Sequence, residues 1–347
     1  MIWAIWSGIS KEKFLNNYIN FKKGAYKQKI ILDTFLTIEK LFNLAKKHKK
    51  KIISLDEVNS YHNVEFIIFF NMPNFEDVII KKINKHKVKL ILLIVEAREI
   101  HPQNFNKELY KNFKFIFTYD ESYVDNKKVF YYHFGVDKSS NLKICNNNKF
   151  LCMISSNRII NYNKSLYPLR LKIIKWFEKN KKWNFDLYGQ GWNFKLFYSR
   201  FKFIRIINRI NYFLPFIKNN FTNYKGEIKP LLEDKLNILK NYKFSFVIEN
   251  FNSWISEKIF HCFFSNVIPI YSGPKNINKY IPKNCYVDLN KFSSLEDLCF
   301  FLKNLTKEQR IMYIQKKNNF LNSKKFDKFD ISKTFSIIEK KLIRNIK

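Results

Sequence analysis

The chain has 347 residues, 63 Lys and Arg against 29 Asp and Glu for a net charge of +34, and 46% hydrophobic and 18% aromatic residues. That apolar content excludes a disordered chain, and the length suffices for two domains with a core each. The seven glycines form neither G-x-G-x-x-G nor G-x-x-x-x-G-K-[ST], which excludes a dinucleotide dehydrogenase or a P-loop enzyme and leaves side chains and helix ends to hold any phosphate.

The basic excess favours anionic partners: nucleotide diphosphates, acidic lipid head groups or nucleic acid. A chain rich in Lys, Asn, Ile and Phe is also what codon bias supplies, and scattered surface lysines need no ligand. The five cysteines form no C-x-x-C pair and read as reduced core residues of a cytosolic protein. The apolar run at residues 2–6 is too short for a signal peptide or anchor, and no later run reaches eighteen uncharged apolar residues. The expectation is a cytoplasmic protein that meets a membrane only peripherally, from the cytoplasmic side.

In chain order the patterns predict a strand at 2–6, a helix at 36–47, strands at 51–55 and 66–70, a helix at 75–84, and strands at 90–95, 115–118 and 129–133. Alternation of this kind implies a mostly parallel α/β sheet. The polar cluster Asn146-Asn147-Asn148 reads as a linker, so residues 1–147 form one domain and 148–325 a second. The second set opens with a strand at 150–154, a helix at 169–178 and a strand and turn at 185–191. Residues 194–224 interleave Arg200, Lys202, Arg205, Arg209 and Lys218 with aromatics and isoleucines. That composition suits either an interfacial amphipathic segment or a helical pair with a solvated basic face. A helix at 231–241 follows, and the tail from 326 reads as a basic helix that packs back on the first domain or meets a membrane surface.

The densest signal lies in residues 243–274, which read as strand, polar loop, helix and strand. The apolar run 244–248 stops at Glu249 and Asn250, and Ser256-Glu257-Lys258 opens the apolar run 259–264. Polar residues at the carboxyl end of a strand stand where open α/β sheets bind ligands. A helix N-terminus with a first-turn lysine suits an anion, and phosphate above all. Read for stability alone, Ser256 is an N-cap and Glu257 complements the helix dipole.

This segment resembles the donor-binding motif of the α1,3-fucosyltransferases, family 10 of the glycosyltransferases, in which F-E-N is followed by Y-[VI]-T-E-K and V-P-[IV]-x-x-G. The corresponding residues are Ile248-Glu249-Asn250, Trp254-Ile255-Ser256-Glu257-Lys258 and Ile268-Pro269-Ile270-Tyr271-Ser272-Gly273. The likeness extends to Tyr224-Lys225-Gly226 and to Leu187-Tyr188-Gly189-Gln190-Gly191-Trp192, and is thin over the first eighty residues. It implies a GT-B architecture, two Rossmann-like domains with parallel sheets facing across a cleft, acceptor chemistry on the first and the nucleotide on the second.

The resemblance further implies inverting transfer of fucose from GDP-fucose to an N-acetylglucosamine-containing glycan, a surface polysaccharide or a lipid-linked oligosaccharide. Inversion needs one base and several cationic donors for the leaving diphosphate, and no nucleophile. The family's base follows a central strand of the first domain, where Glu96 stands, with Glu99 the competitor at a slipped alignment. Arg170 takes the place of a phosphate-contacting arginine, suited by its planar fork. Lys258 is the second cation, Glu257 an acceptor for ribose or sugar hydroxyls, and Asn250, Ser256 and Trp254 complete the donor site; Glu249 and Asn157 are further candidates. Two departures fall on the donor sugar: Trp254 replaces tyrosine, and the loop before it is a couple of residues shorter. The six histidines show no metal spacing and no Asp-x-Asp motif occurs, so the expectation is catalysis without metal or other cofactor. The alternatives are the same chemistry with another sugar nucleotide, or a non-enzymatic basic protein on nucleic acid or membrane. The second gives no reason for polar groups at consecutive element ends, so nucleic acid is not an expected partner.

Overall fold

The computed structural model describes residues 1–6, 33–83, 88–133, 135–140, 145–158, 165–195, 206–208, 210–211, 217–228 and 232–346. The chain forms two compact units, one of Met1–Asp137 with Asp327–Lys347 and the other of Lys138–Phe326. Asn146 and Asn147 lie within the second unit: both backbone N–H groups donate to Lys240 O, and Asn147 Nδ2 donates to Asn266 O at 2.7 Å.

In the first unit six strands lie parallel in the order β2-β1-β3-β4-β5-β6: β1 (Ile2–Trp6), β2 (Lys51–Ser54), β3 (Val64–Phe70), β4 (Lys89–Leu93), β5 (Phe115–Thr118) and β6 (Val129–Tyr131). Strand β3 is buried along its whole length, as a central parallel strand covered on both faces must be. Alternate residues serve the two faces. Phe66, Ile68 and Phe70 pack with Leu41 and Leu44 of α1 (Asp33–Lys47) and with residues near the C-terminus, while Ile67 and Phe69 pack with Ile80 and Ile83 of α2 (Val78–Ile83). Glu65 also points into this interior, where Lys50 pairs with it at 3.3 Å and Trp3 Nε1 donates to it at 3.1 Å. Strand β4 ends before the predicted position 95, because Val95 N and Glu96 N both donate to Asn71 Oδ1 at 3.0 Å and so leave the ladder.

The second unit holds a parallel sheet in the order β11-β10-β9-β7-β8, from β7 (Lys149–Ile154), β8 (Phe185–Tyr188), β9 (Tyr242–Ile248), β10 (Ile268–Ser272) and β11 (Val287–Asp288). Its helices are α3 (Tyr167–Lys179), α4 (Leu232–Leu239), α5 (Lys258–Phe264), α6 (Leu295–Asn304), α7 (Lys307–Leu321), with α8 (Ile331–Ile343) returning to the first unit. The chain leaves β7 for β8 on one side and returns to β9 on the other. This reversal opens a crevice at the carboxyl ends of β7 and β9.

Helices α6 and α7 were not among the expected elements, although α6 carries an apolar stripe in Leu298, Cys299 and Leu302. Ser294 Oγ caps α6 by accepting from Asp297 N at 3.0 Å, and Thr306 with Gln309 forms a capping box on α7. The buried residues of α7 are Lys317, Phe320 and Leu321, all near its end, so the apolar period that marks a helix is missing from most of it. About half of the basic aromatic segment 194–224 lies outside the described residues, Arg200, Lys202, Arg205 and Arg209 included.

Candidate active site

Strand β9 delivers Glu249 into the interior, where it is fully buried. Its carboxylate accepts from Ser256 N at 2.9 Å, Ser256 Oγ at 2.6 Å and Tyr271 OH at 3.3 Å, and Lys258 Nζ stands 3.7 Å away. A buried charge needs such a set of partners, since an uncompensated one costs several kcal/mol. Gly273 admits this arrangement: a Cβ there would lie 2.7 Å from Glu249 Cγ and overlap the Tyr271 hydroxyl. Glu249 thus fastens the loop after β9 to the start of α5 and to β10.

Asn250, one residue on, is the meeting point of two cations. Its Oδ1 accepts from Arg170 Nη2 at 2.8 Å and from Lys258 Nζ at 3.0 Å. Arg170, on the first turn of α3, is 4% exposed, donates also to Ile248 O at 2.6 Å and lies over the Tyr167 ring at 4.2 Å. Its guanidinium is therefore largely engaged with the protein. Burial, and next the Arg170 charge, pull the Lys258 pKa down to about 8 against the opposite pull of Glu249 and Glu257. Burial pushes Glu257 up, but Lys235, His261 and Lys258 outweigh it and hold the carboxyl below its ordinary value.

The facing wall comes from the ends of β7 and β8. Ser155 N donates to Tyr188 O at 2.9 Å and Trp192 Nε1 donates to Ser155 O at 2.6 Å, which draws the two loops together. Gly189, at φ +131°, allows this approach, because a Cβ would overlap Ser155 O. Between the walls lies a cleft of about 300 Å³ whose lining includes Arg158, Arg170, Lys235, Lys258, Glu257 and Asn250. Four cations around one carboxylate and the amides of Asn250 and Gln190 suit a polyanion that also carries hydroxyls.

Of the residues singled out in the sequence, Arg170, Asn250, Glu257 and Lys258 meet in this cleft. Ser256 is 7% exposed and bound to Glu249, Trp254 is half-buried in the loop, and neither lines it. Asn157 is buried behind the β7 wall, donating to Gly191 O at 2.8 Å and Phe194 O at 3.2 Å. Glu96 and Glu99 stand half-buried in the first unit, after β4. Between them Arg98 pairs with Asp120 at 3.0 Å and lies over Phe105 at 4.5 Å.

The sequence reading passed over Lys235, Arg158 and His261. His261, 2% exposed, follows Glu257 by one helical turn, and that spacing was the available signal. Lys235 carries none, for α4 brings it to the cleft only through the fold. Among the described residues no three His, Cys, Asp or Glu side chains gather so as to hold a metal ion, and no helix is long and apolar enough to cross a membrane.

Residues 230–329 match the family model described as glycosyltransferase family 10 (fucosyltransferase), C-terminal. Over that range the chain is similar to the C-terminal part of family 10. The matched range takes in every element from α4 to α7, and with them Lys235, Glu249, Asn250, Glu257 and Lys258. An α-(1,4)-fucosyltransferase of Arabidopsis thaliana is 35% identical over 69 residues, and the alignment spans 19% of this chain and 17% of that relative. Solved structures are similar over greater length. An α1,3-fucosyltransferase with GDP-fucose shows 12% identity and a TM-score of 0.52, over 98% of this chain and 89% of that one. A Rickettsia africae glycosyltransferase shows 11% identity and a TM-score of 0.53, and the Anabaena HepE protein with UDP and glucose 8% and 0.55, each over 99% of both chains. Likeness at such identity is likeness of fold, and the two parallel sheets are those of the GT-B glycosyltransferases.

Proposed function

We propose that this chain is an inverting fucosyltransferase of the family 10 kind, one that moves fucose from GDP-fucose to a hydroxyl of an N-acetylglucosamine-containing glycan. The observation that carries the reading is the cationic cleft at the β7/β9 reversal, whose Lys235, Asn250, Glu257 and Lys258 fall within the range matching family 10. A nucleoside diphosphate brings several negative charges, and Arg158, Arg170, Lys235 and Lys258 suit them. The bond from the anomeric carbon to the diphosphate oxygen breaks, and its electron pair leaves on phosphate, neutralised by Lys258 and by the field of Arg170. The acceptor oxygen attacks from the opposite face, and Glu96 takes its proton as general base. Glu257 accepts from donor hydroxyls, Asn250 donates to the donor through Nδ2 because its Oδ1 is taken by Arg170 and Lys258, and Ser256 fixes the loop that carries Trp254 through Glu249. Side-chain cations serve the leaving group, so the reaction runs without a bound metal and should persist in a chelator.

Glu96→Gln is expected to lower transfer by about 100-fold or more, in the range of general-base contributions, with GDP binding by calorimetry unchanged. Full activity in that variant would remove Glu96 from the mechanism. The linkage is proposed as α1,3; since the matched Arabidopsis relative is an α-(1,4)-enzyme, NMR of the product decides it. The acceptor is proposed as a polysaccharide precursor or lipid-linked oligosaccharide at the cytoplasmic face, where the +34 charge would favour anionic lipid. A second reading, the same reaction with another sugar nucleotide, is favoured by Trp254 and the shortened loop, where the chain departs from the α1,3-fucosyltransferase motif. A hydrolysis screen over sugar nucleotides separates the two.

A further inference from the structure

We infer that Asn71 is the positioning residue for the Glu96 base, an inference that rests on the role proposed above for Glu96. Asn71 is the first residue beyond β3 and has φ 70°, a left-handed conformation that asparagine and glycine tolerate and most residues resist. Its own N–H donates to Leu93 O at 2.8 Å, so it lies against the end of β4. Its Oδ1 accepts three donors: Val95 N and Glu96 N, each at 3.0 Å, and Asn104 Nδ2 at 2.9 Å.

Those first two donors are the backbone N–H of Glu96 itself and that of the residue before it. They have left the sheet ladder, where Ile94 N is the last to be bound, to Phe117 O. Asn71 therefore takes over from the sheet at the point where the chain turns to present Glu96.

Asn104 makes the anchor rigid. It is fully buried, and its Oδ1 accepts from Met72 N at 2.7 Å while its backbone O accepts from Tyr110 OH at 2.8 Å. His101 Nε2 meets Met72 O at 2.8 Å. On the far side Tyr119 OH donates to Glu96 O at 3.5 Å. The peptide groups flanking Glu96 are thus held from two strands and one loop, and the loop has little freedom to swing. A base displaced by about 1 Å from its proton can lose on the order of 100-fold in rate, so an anchor on its backbone acts on turnover and leaves donor binding alone.

Two variants of the full chain test this. Asn71→Gly keeps the left-handed backbone and removes the side chain with its acceptor; Asn71→Asp also lacks Nδ2 but keeps an acceptor for all three donors. Expected are a 10- to 100-fold lower kcat for Asn71→Gly, a donor KM and a GDP-induced rise in melting temperature that match the parent, and a kcat for Asn71→Asp within about fivefold of the parent. A kcat for Asn71→Gly within threefold of the parent overturns the inference, as does equal loss in both variants. If Glu96→Gln loses transfer while Asn71→Gly does not, only this inference falls. If Glu96→Gln transfers normally, the base assignment falls and takes this inference with it.

Discussion

At Lys258, burial and the Arg170 guanidinium both oppose the ammonium form, while Glu249 and Glu257 only partly offset them, which leaves the pKa at about 8. The sign of the consequence is direct. Below about pH 8 the side chain is charged and attracts a diphosphate; above it the free protein has lost that charge, and binding must take up a proton. The dissociation constant for GDP should therefore be flat below pH 7 and rise by up to about tenfold per pH unit above pH 8. Calorimetry at pH 7, 8 and 9 checks this, and Lys258→Arg should flatten the rise, since arginine stays charged. Equal affinity at pH 7 and 9 would contradict it. Single residues were legible where chemistry and position coincided: Asn250, Glu257 and Lys258 stand at element ends in the sequence and line the cleft in the fold. Arg170 shows the limit of that reading. The sequence suggests a fork open to phosphate, whereas the structure engages it with Ile248 O and Asn250.

Among the elements, α5 carries Glu257 and Lys258 at its start, and its far end is held by an unusual partner. Lys317 of α7 is 1% exposed and donates to Phe263 O, one of the last carbonyls of α5, at 2.6 Å. Burial lowers its pKa to about 8. A lysine whose pKa is depressed by folding destabilises the native state at low pH, and that penalty lifts as pH rises from about 8 toward its unfolded value. The parent should gain stability relative to Lys317→Met over that interval, by up to about 3 kcal/mol, as measured by urea unfolding at pH 7.5 and 10. A constant difference between the two proteins would refute it. Strands β1, β3, β5 and β7 announced themselves as apolar runs, because a parallel strand buried on both faces has nothing but apolar positions to show. Helix α7 did not, because only Lys317, Phe320 and Leu321 near its end are buried, and most of its length shows no apolar period.

For the molecule as a whole, the last helix decides whether the first unit has a closed core. Asp330 caps α8 by accepting from Ser332 N at 2.7 Å, and the helix places Ile331, Phe335, Ile338 and Leu342 in the same apolar cluster as Leu41 and Phe66. At roughly 1.5–3 kcal/mol for each buried side chain, removing them forfeits about 6–12 kcal/mol, as much as a domain's whole stability. A chain ending at Phe329 should lose transfer and the hydrogen-exchange protection of β1 and β3, while GDP still protects α5; retained transfer would show that the core closes without α8. What the sequence determined by itself was local: the alternation that dictates two parallel sheets, and the polar residues that close β9 and open α5. These follow from near neighbours along the chain, where periodicity and capping act. The tertiary structure alone decided which distant groups meet: Lys235 and Arg158 in one cleft with Lys258, Asn71 against the backbone of Glu96, and the C-terminal helix in the N-terminal core. Those meetings depend on strand order and crossover, and strand order is set by packing that no stretch of neighbouring residues encodes.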